Sequence, residues 1–305
     1  MTTTDLIQHP FPWPEGKRTA VCFSFDIDAE SLLHLGFRED ADNRVVTRSE
    51  MRYDAHVAVP RLLAIFRNHD IRQTFFVPGW CLEAYPEMVK AILDDGHEIA
   101  HHGYIHEMGN RLTPENERYW FERAVGAVER TTGKKPRGFR APSYGFSRHS
   151  LDLMFDHGMI YDASMMGHDV PYIIKHPRGE IVELPSQRAL DDWTHFVLNR
   201  DFGWMMPLQT PEDGFAIYRA EFDAAWRHGG IWIAVWHPFV TARLSRAEAM
   251  EGLLDHMKSK GNVWFAPLDE IAIHAQKARA DGRWKPFIDS MPYDAGGLPE
   301  LAERI

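Results

Sequence analysis

Cysteine is scarce: Cys22 and Cys81 are the only two in 305 residues. Without a CxxC pair, a thiolate zinc site and a disulfide framework are both excluded. Two lone thiols fit small buried core positions in a reducing setting. Long apolar runs are missing as well; none approaches the roughly 18 residues a membrane span needs. The opening residues, MTTTDLIQHPFPWPEG, show neither the basic nor the apolar region of an export signal. A cytoplasmic location is therefore expected. Positive charge is short, with 34 Lys and Arg against 44 Asp and Glu and a net charge of −10. That balance argues against nucleic acid and anionic membranes as partners. No internal repeat and no low-complexity tract is visible. What remains is an ordinary globular composition, 44% hydrophobic and 26% charged, with one excess: 17 histidines.

Short apolar runs alternate with amphipathic stretches along the chain. Strands are expected at 20–27, 71–77, 98–102, 181–184, 231–236 and 263–266. Helices are expected near 54–68, 86–95, 114–132, 147–157, 245–260 and 267–280. Strands alternating with helices of these lengths pair in parallel through helical crossovers. A barrel of about seven or eight strands is the simplest closure, and the whole of 1–305 reads as a single α/β domain. Two segments break the rhythm. Residues 29–53 read as a charged, loop-like insertion after the first strand. Residues 185–230 read as a second, with Trp193, Trp204 and Trp226. Such segments are expected to act as lids or interface elements. The end, 281–305, reads equally as an extended arm or as a frayed terminus.

Chemistry concentrates in five places. In AVCFSFDID, residues 20–28, alternation puts Val21, Phe23, Phe25 and Ile27 on one face and Ala20, Cys22, Ser24, Asp26 and Asp28 on the other. The small, polar face suits a barrel interior. Asp26 and Asp28 then lie about 7 Å apart at roughly 3.3 Å per residue, at the strand end where barrels carry active sites. Two carboxylates so close repel, so a cation or an Arg must offset them.

The run GHEIAHHGYIHE, 96–107, permits two metal readings. His97-Glu98-Ile99-Ala100-His101 matches HExxH, a metalloprotease pattern that requires a helix. Gly96 and Gly103 bracket too few residues for one, at a place where a strand is due. The other reading takes His102 at the strand end and His106 after the Gly103 turn. With Asp28 they form an N,N,O set that leaves positions open for water.

In RGFRAPSYGFS, 137–147, Arg140 is placed to hold Asp26 ionised, and the turn stiffened by Pro142 offers N–H groups to an oxyanion. In IWIAVWHPFV, 231–240, His237 closes an apolar strand and can serve as general acid to a leaving amine. In LPSQRALDDWTHF, 184–196, Trp193 is a candidate pocket wall, and Asp191 or Asp192 a partner for His237.

FDxD, HGYxH, RAP, an Asp-Trp segment and a strand-terminal His-Pro, in that order, resemble the polysaccharide deacetylase (NodB-homology) family. The resemblance runs from about residue 14 to 275. It implies a distorted (β/α)7-type barrel with one divalent metal ion, commonly zinc. By the same resemblance Asp26 is the catalytic base, Asp28, His102 and His106 bind the metal, Arg140 orients the base and His237 is the acid. Pro142, Ser143, Tyr144, Asp192 and Trp193 are then expected to line the substrate site.

The chain departs from the secreted polysaccharide enzymes of that family. Ile27 separates the two acids that are adjacent there, and Ser143 stands where they have an aromatic residue. FDID, HGYIH-Glu107, RAPS and WHPF look more like an intracellular branch with allantoinase-like, cyclic-imide-hydrolysing and peptidoglycan-deacetylase-like members, typically homotetramers. The expected activity is metal-dependent hydrolysis of a non-peptide carbon–nitrogen bond in a small molecule such as a cyclic imide or ureide. The alternative is N-deacetylation of an N-acetylglucosamine glycan or peptidoglycan. A metalloprotease and a non-catalytic binding barrel are more remote. A homo-oligomer, by resemblance a tetramer, is expected.

Overall fold

The computed structural model describes residues 5–293. Ten strands order the chain: β1 Thr19–Asp26, β2 Thr74–Val77, β3 Glu98–His101, β4 Gly138–Phe139, β5 Tyr161–Asp162, β6 Tyr172–His176, β7 Gly179–Glu183, β8 Ile231–Trp236, β9 Val263–Phe265 and β10 Ile288–Ser290. The path β7-β5-β4-β3-β2-β1-β8 is parallel throughout, with helices at every crossover but that from β5 to β7, which runs through β6. This is the seven-stranded (β/α) barrel. β6 returns antiparallel to β7, and β10 adds to the outer edge of β6. β9 pairs with Thr19–Val21 at the start of β1, below the point where β2 joins.

Between β7 and β8 no ladder forms. A single parallel bridge joins Asp191 to Val235, and Asp192 N–H donates to the Val235 carbonyl at 3.2 Å. The irregular stretch after β7 thus closes the barrel, and it brings two acids to the rim.

β1 is buried along its whole length. Val21, Phe23, Phe25 and Ile27 pack in the layer between sheet and helices with Trp232, Trp236, Phe66 and Phe75. Ala20 and Cys22 face the interior beside Phe76, Ala100, Tyr161 and Ile233. Each large side chain so buried contributes about 1.5–3 kcal/mol of transfer free energy.

Two segments differ from the sequence expectation. Residues 29–53 are helical, not loop: α-helices Ser31–Phe37 and Val45–Met51 flank a 3₁₀ helix, Arg38–Asn43. Their buried residues, Ser31, Leu33, Ala41, Thr47 and Met51, are too few and too polar to show a helical period in a charged sequence. Arg44 and Thr47 both bind Asp201, and Asn199 binds Glu50, so this segment is tied to the stretch after β7. In the second segment, Pro211–His228 is a regular crossover helix leading into β8, capped by Thr210. Trp226 belongs to that helix, and its indole N–H donates to the Gly261 carbonyl. The arm is anchored by Trp284, 1% exposed, and by β10; residues 294–305 lie outside the described part. β4 and β5, two residues each, are too short to register as apolar runs. Among the described residues, no helix is long and apolar enough to cross a membrane.

His97 is buried where β3 begins, its Nδ1 accepting the Gln73 N–H at 2.9 Å. Burial lowers its pKa to about 4. Its neutral form therefore contributes stability above pH ~6.5 that is lost as pH falls toward 4, with a slope of up to about 1.4 kcal/mol per pH unit. Relative to His97→Gln, the wild-type melting temperature should decline progressively across that window. A pH-independent difference between the two would contradict the assignment.

Candidate active site

The site lies at the C-terminal ends of β1, β3, β4 and β8. β1 ends in Asp26 and continues to Asp28; both are buried, at 4% and 1% exposure. Arg140 Nη1 reaches Asp26 Oδ1 at 2.7 Å. Its Nε donates to the Ala163 carbonyl at 3.1 Å, and its guanidinium lies 4.1 Å above the Phe76 ring. Three contacts on a fully buried side chain leave the guanidinium little freedom, so the Asp26 carboxylate is both charge-balanced and aimed.

His102 follows β3. Its Nδ1–H donates to the Arg140 carbonyl at 2.8 Å, which leaves Nε2 as a lone pair facing Asp28 Oδ1 at 3.5 Å and Asp26 Oδ2 at 3.7 Å. A carbonyl behind a histidine is the usual way to fix a metal-binding tautomer. His106 Nε2 approaches Asp28 Oδ2, also at 3.5 Å. The turn that brings it back is collared by Glu107, whose carboxylate accepts the N–H groups of Tyr104 and Ile105 at 3.0 and 2.7 Å. Gly103 in this turn has φ +68, and a Cβ there would lie 2.9 Å from Glu107 Oε1; only glycine fits.

His237, after β8, points Nε2 at Asp28 Oδ2 from 3.6 Å. Behind it, Asp192 accepts from Nδ1 at 2.7 Å, from the His237 backbone N–H at 2.9 Å and from Thr241 Oγ1 at 2.6 Å. Burial works against a charged His237, but Asp192 outweighs it and raises the imidazole well above its ordinary range. Burial would also raise the Asp28 carboxyl, yet His106, His102 and His237 together hold it well below the usual carboxylate range. His106 itself is lowered to about 4, chiefly by burial.

Of the two acids open as partners of His237, Asp192 takes the role. Both its oxygens are engaged by His237 and Thr241. Asp191 instead accepts from the Tyr144 hydroxyl at 2.8 Å and the Trp193 N–H at 3.0 Å. Burial pushes Asp191 up to about 6. Trp193 is half-buried, its ring 5.2 Å from that of His237. Pro142, Ser143 and Tyr144 form a tight turn, with Ser143 and Tyr144 at φ 48 and 57 and Tyr144 N–H bonded to the Ala141 carbonyl.

The competing HExxH reading fails on secondary structure. Glu98–His101 is β3, so His97 and His101 do not share a helix face; His101 bonds instead to the Phe121 carbonyl. One acid escaped the sequence reading. Asp54, fully buried, accepts the backbone N–H groups of Ala29 and Phe239 at 3.1 and 2.5 Å, joining the loops after β1 and β8 beneath the site. A lone Asp opening a helix carries no sequence signal of that.

The comparisons with known proteins enter at this point. The family model for polysaccharide deacetylase matches residues 50–161. A crystal structure from Mycobacterium smegmatis carrying the same family assignment is 37% identical, covers 91% of this chain and 96% of its own, and superposes with a TM-score of 0.85. The chain belongs to the polysaccharide deacetylase family. A protein of Helicobacter pylori named peptidoglycan deacetylase is 28% identical over 284 residues, 84% of this chain and 96% of that protein. A Puue allantoinase, 21% identical and covering 92% of this chain and 96% of its own, shares the fold with a TM-score of 0.77.

Enzymes of this family are metal-dependent hydrolases of carbon–nitrogen bonds, and the residues present fit a divalent cation. Asp28, His102 and His106 bring one ligand atom each within 4.8 Å of one another. Asp28 Oδ1 is buried without a hydrogen-bond partner, a costly condition that a cation relieves. Both histidine nitrogens stand at 3.5 Å from Asp28, longer than a normal hydrogen bond. Replacing His102 and His106 together by Ala should abolish stoichiometric binding of a divalent metal; one full equivalent retained in that variant would refute the ligand set.

Proposed function

We propose that the enzyme hydrolyses the amide bond of a small cyclic imide or ureide, with zinc held by Asp28, His102 and His106. The zinc assignment rests on the N,N,O donor set. The observation that carries the substrate size is depth: His237, the most exposed of Asp26, Asp28, His102, His106, Arg140 and His237, is only 7% exposed. Two half-buried walls, Tyr144 and Trp193, suit a flat ring.

When bound, the metal polarises the scissile carbonyl and acidifies an attacking water. Asp26, fixed by Arg140, takes the proton from that water. In the turn, the Tyr144 and Gly145 N–H groups are used internally, and the Ser143 N–H serves the developing oxyanion. His237, kept protonated by Asp192, passes its proton to the departing nitrogen. Trp193 stacks on the ring and keeps bulk water away.

A second reading is N-deacetylation of peptidoglycan, favoured by the Helicobacter pylori relative's name. The sugar would then have to present its acetamido group at the same depth. In either case we read the protein as a cytoplasmic homo-oligomer, in line with a tetramer. Exposed Val45, Val46, Leu198, Met205, Met206 and Leu208, on segments already tied together by Asp201, favour a contact between copies.

Two measurements test this. Asp26→Asn should keep its metal but lose about 10²–10⁴-fold in rate, the usual contribution of a general base, whereas Asp28→Asn should lose metal too. Identical behaviour of the two variants would refute the division of roles. The metal-loaded enzyme should open succinimide, hydantoin or allantoin faster than it deacetylates N-acetylglucosamine oligomers. The reverse order, together with a monomer in light scattering, would establish the second reading.

A further inference from the structure

A second pair of buried acids lies outside the site. Asp162 ends β5 and Glu183 ends β7, directly opposite each other in the ladder. Both are fully buried. Tyr161 and Val182, their neighbours in sequence, fill the barrel interior, so alternation turns Asp162 and Glu183 outward, toward the helix layer. Their side chains therefore lie side by side on one face of the sheet, and Glu183 Oε2 is buried with no other hydrogen-bond partner. Two carboxylates are acceptors only, so two buried acids this close are satisfied by sharing one proton between them. Among the described residues neither makes an ion pair. The titratable groups facing the pair are Tyr172 from β6, Tyr293 after β10 and, further off, Arg140 after β4.

The pair is wired to the active site through backbone. Asp162 accepts from Ser164 Oγ at 2.8 Å and from Ser164 N–H at 3.0 Å. Glu183 Oε1 accepts the Met165 N–H at 3.0 Å. Ser164 Oγ in turn accepts the Ala141 N–H at 2.8 Å. The Ala163 carbonyl, inside the same three-residue loop, accepts from Arg140 Nε and from Ser186 Oγ at 2.7 Å. The loop that orients Arg140 is therefore held from below by two acids that would repel if both were ionised.

We infer that Asp162 and Glu183 form a proton-sharing carboxyl pair whose role is to position Arg140, and through it Asp26. The inference rests on the reading of Asp26 as the base. Burial raises both acids above their ordinary range, in keeping with a retained proton. They are positioning residues; neither touches the reacting atoms.

The test needs no substrate. At neutral pH the wild-type infrared spectrum should contain the carbonyl band of a protonated carboxylic acid, absent from Glu183→Gln. The Arg140 Nε–H resonance should exchange slowly with solvent in wild type and in Glu183→Gln, whose amide can keep both hydrogen bonds. In Glu183→Ala and in Ser164→Ala, exchange should accelerate by about tenfold or more, as expected when a supporting buried hydrogen bond is lost. Ser164→Ala keeps both acids, so it tests their link to Arg140 even where Glu183→Ala does not fold, while the infrared band tests the shared proton. Absence of the infrared band, or unchanged Arg140 exchange in Ser164→Ala, overturns the inference. Full turnover by Asp26→Asn would instead overturn the base assignment alone.

Discussion

Burying Asp26 and Asp28 together is the constraint on which the rest of the site depends. Two negative charges two residues apart, at 4% and 1% exposure, have lost nearly all their hydration and repel each other. Such a state persists only with compensating positive charge and hydrogen-bond donors. The fold divides the task. Arg140 neutralises Asp26 by direct contact. Asp28 is surrounded by three imidazoles, His102, His106 and His237, at 3.5–3.6 Å. A group that must neutralise and one that must leave room for a cation need different partners, and the intervening Ile27 separates them.

Each compensating group is itself fixed from behind by backbone or acid. The Arg140 carbonyl holds His102, the Ala163 carbonyl holds Arg140, and Asp192 holds His237. Backbone strain collects at the same places: Ala29, His106, Ser143 and Tyr144 all have positive φ, at a cost of about 1–3 kcal/mol each. These four sit on the loops after β1, β3 and β4. Hydrogen bonds accepted by Asp54, Glu107 and Asp191 help hold these loops in place. Glu107 illustrates the arrangement, since one carboxylate binds two successive N–H groups and leaves the next residue, His106, turned back toward Asp28.

The barrel's irregularity serves the same end. A regular β7–β8 ladder would have continued the sheet and left no backbone turning inward at its rim. The single Asp191–Val235 bridge closes the barrel with a loop, and that loop delivers Asp192 to His237 and Asp191 to Tyr144.

Much of this was legible in the chain itself. Parity along AVCFSFDID sorted large from small faces because strand geometry has a period of two whatever the surroundings. His102, His106, Arg140 and His237 stood out because strand ends and turn residues mark where side chains can converge. The glycines around 97–102 argued against a helical HExxH on length alone. What the chain could not disclose depended on distant partners. Nothing local distinguishes Asp192 from Asp191; the difference is which one the Val235 bridge turns inward. Asp54 and Thr241 look like ordinary helix residues until two loops meet over them. Residues 31–51 fold as helices because a few widely spaced side chains find the core and Asp201 anchors Arg44, a contact 157 residues away in sequence. Local periodicity and spacing determined the barrel and the donors. Only tertiary packing decided which donor serves which acid, because that assignment is made by long-range closure.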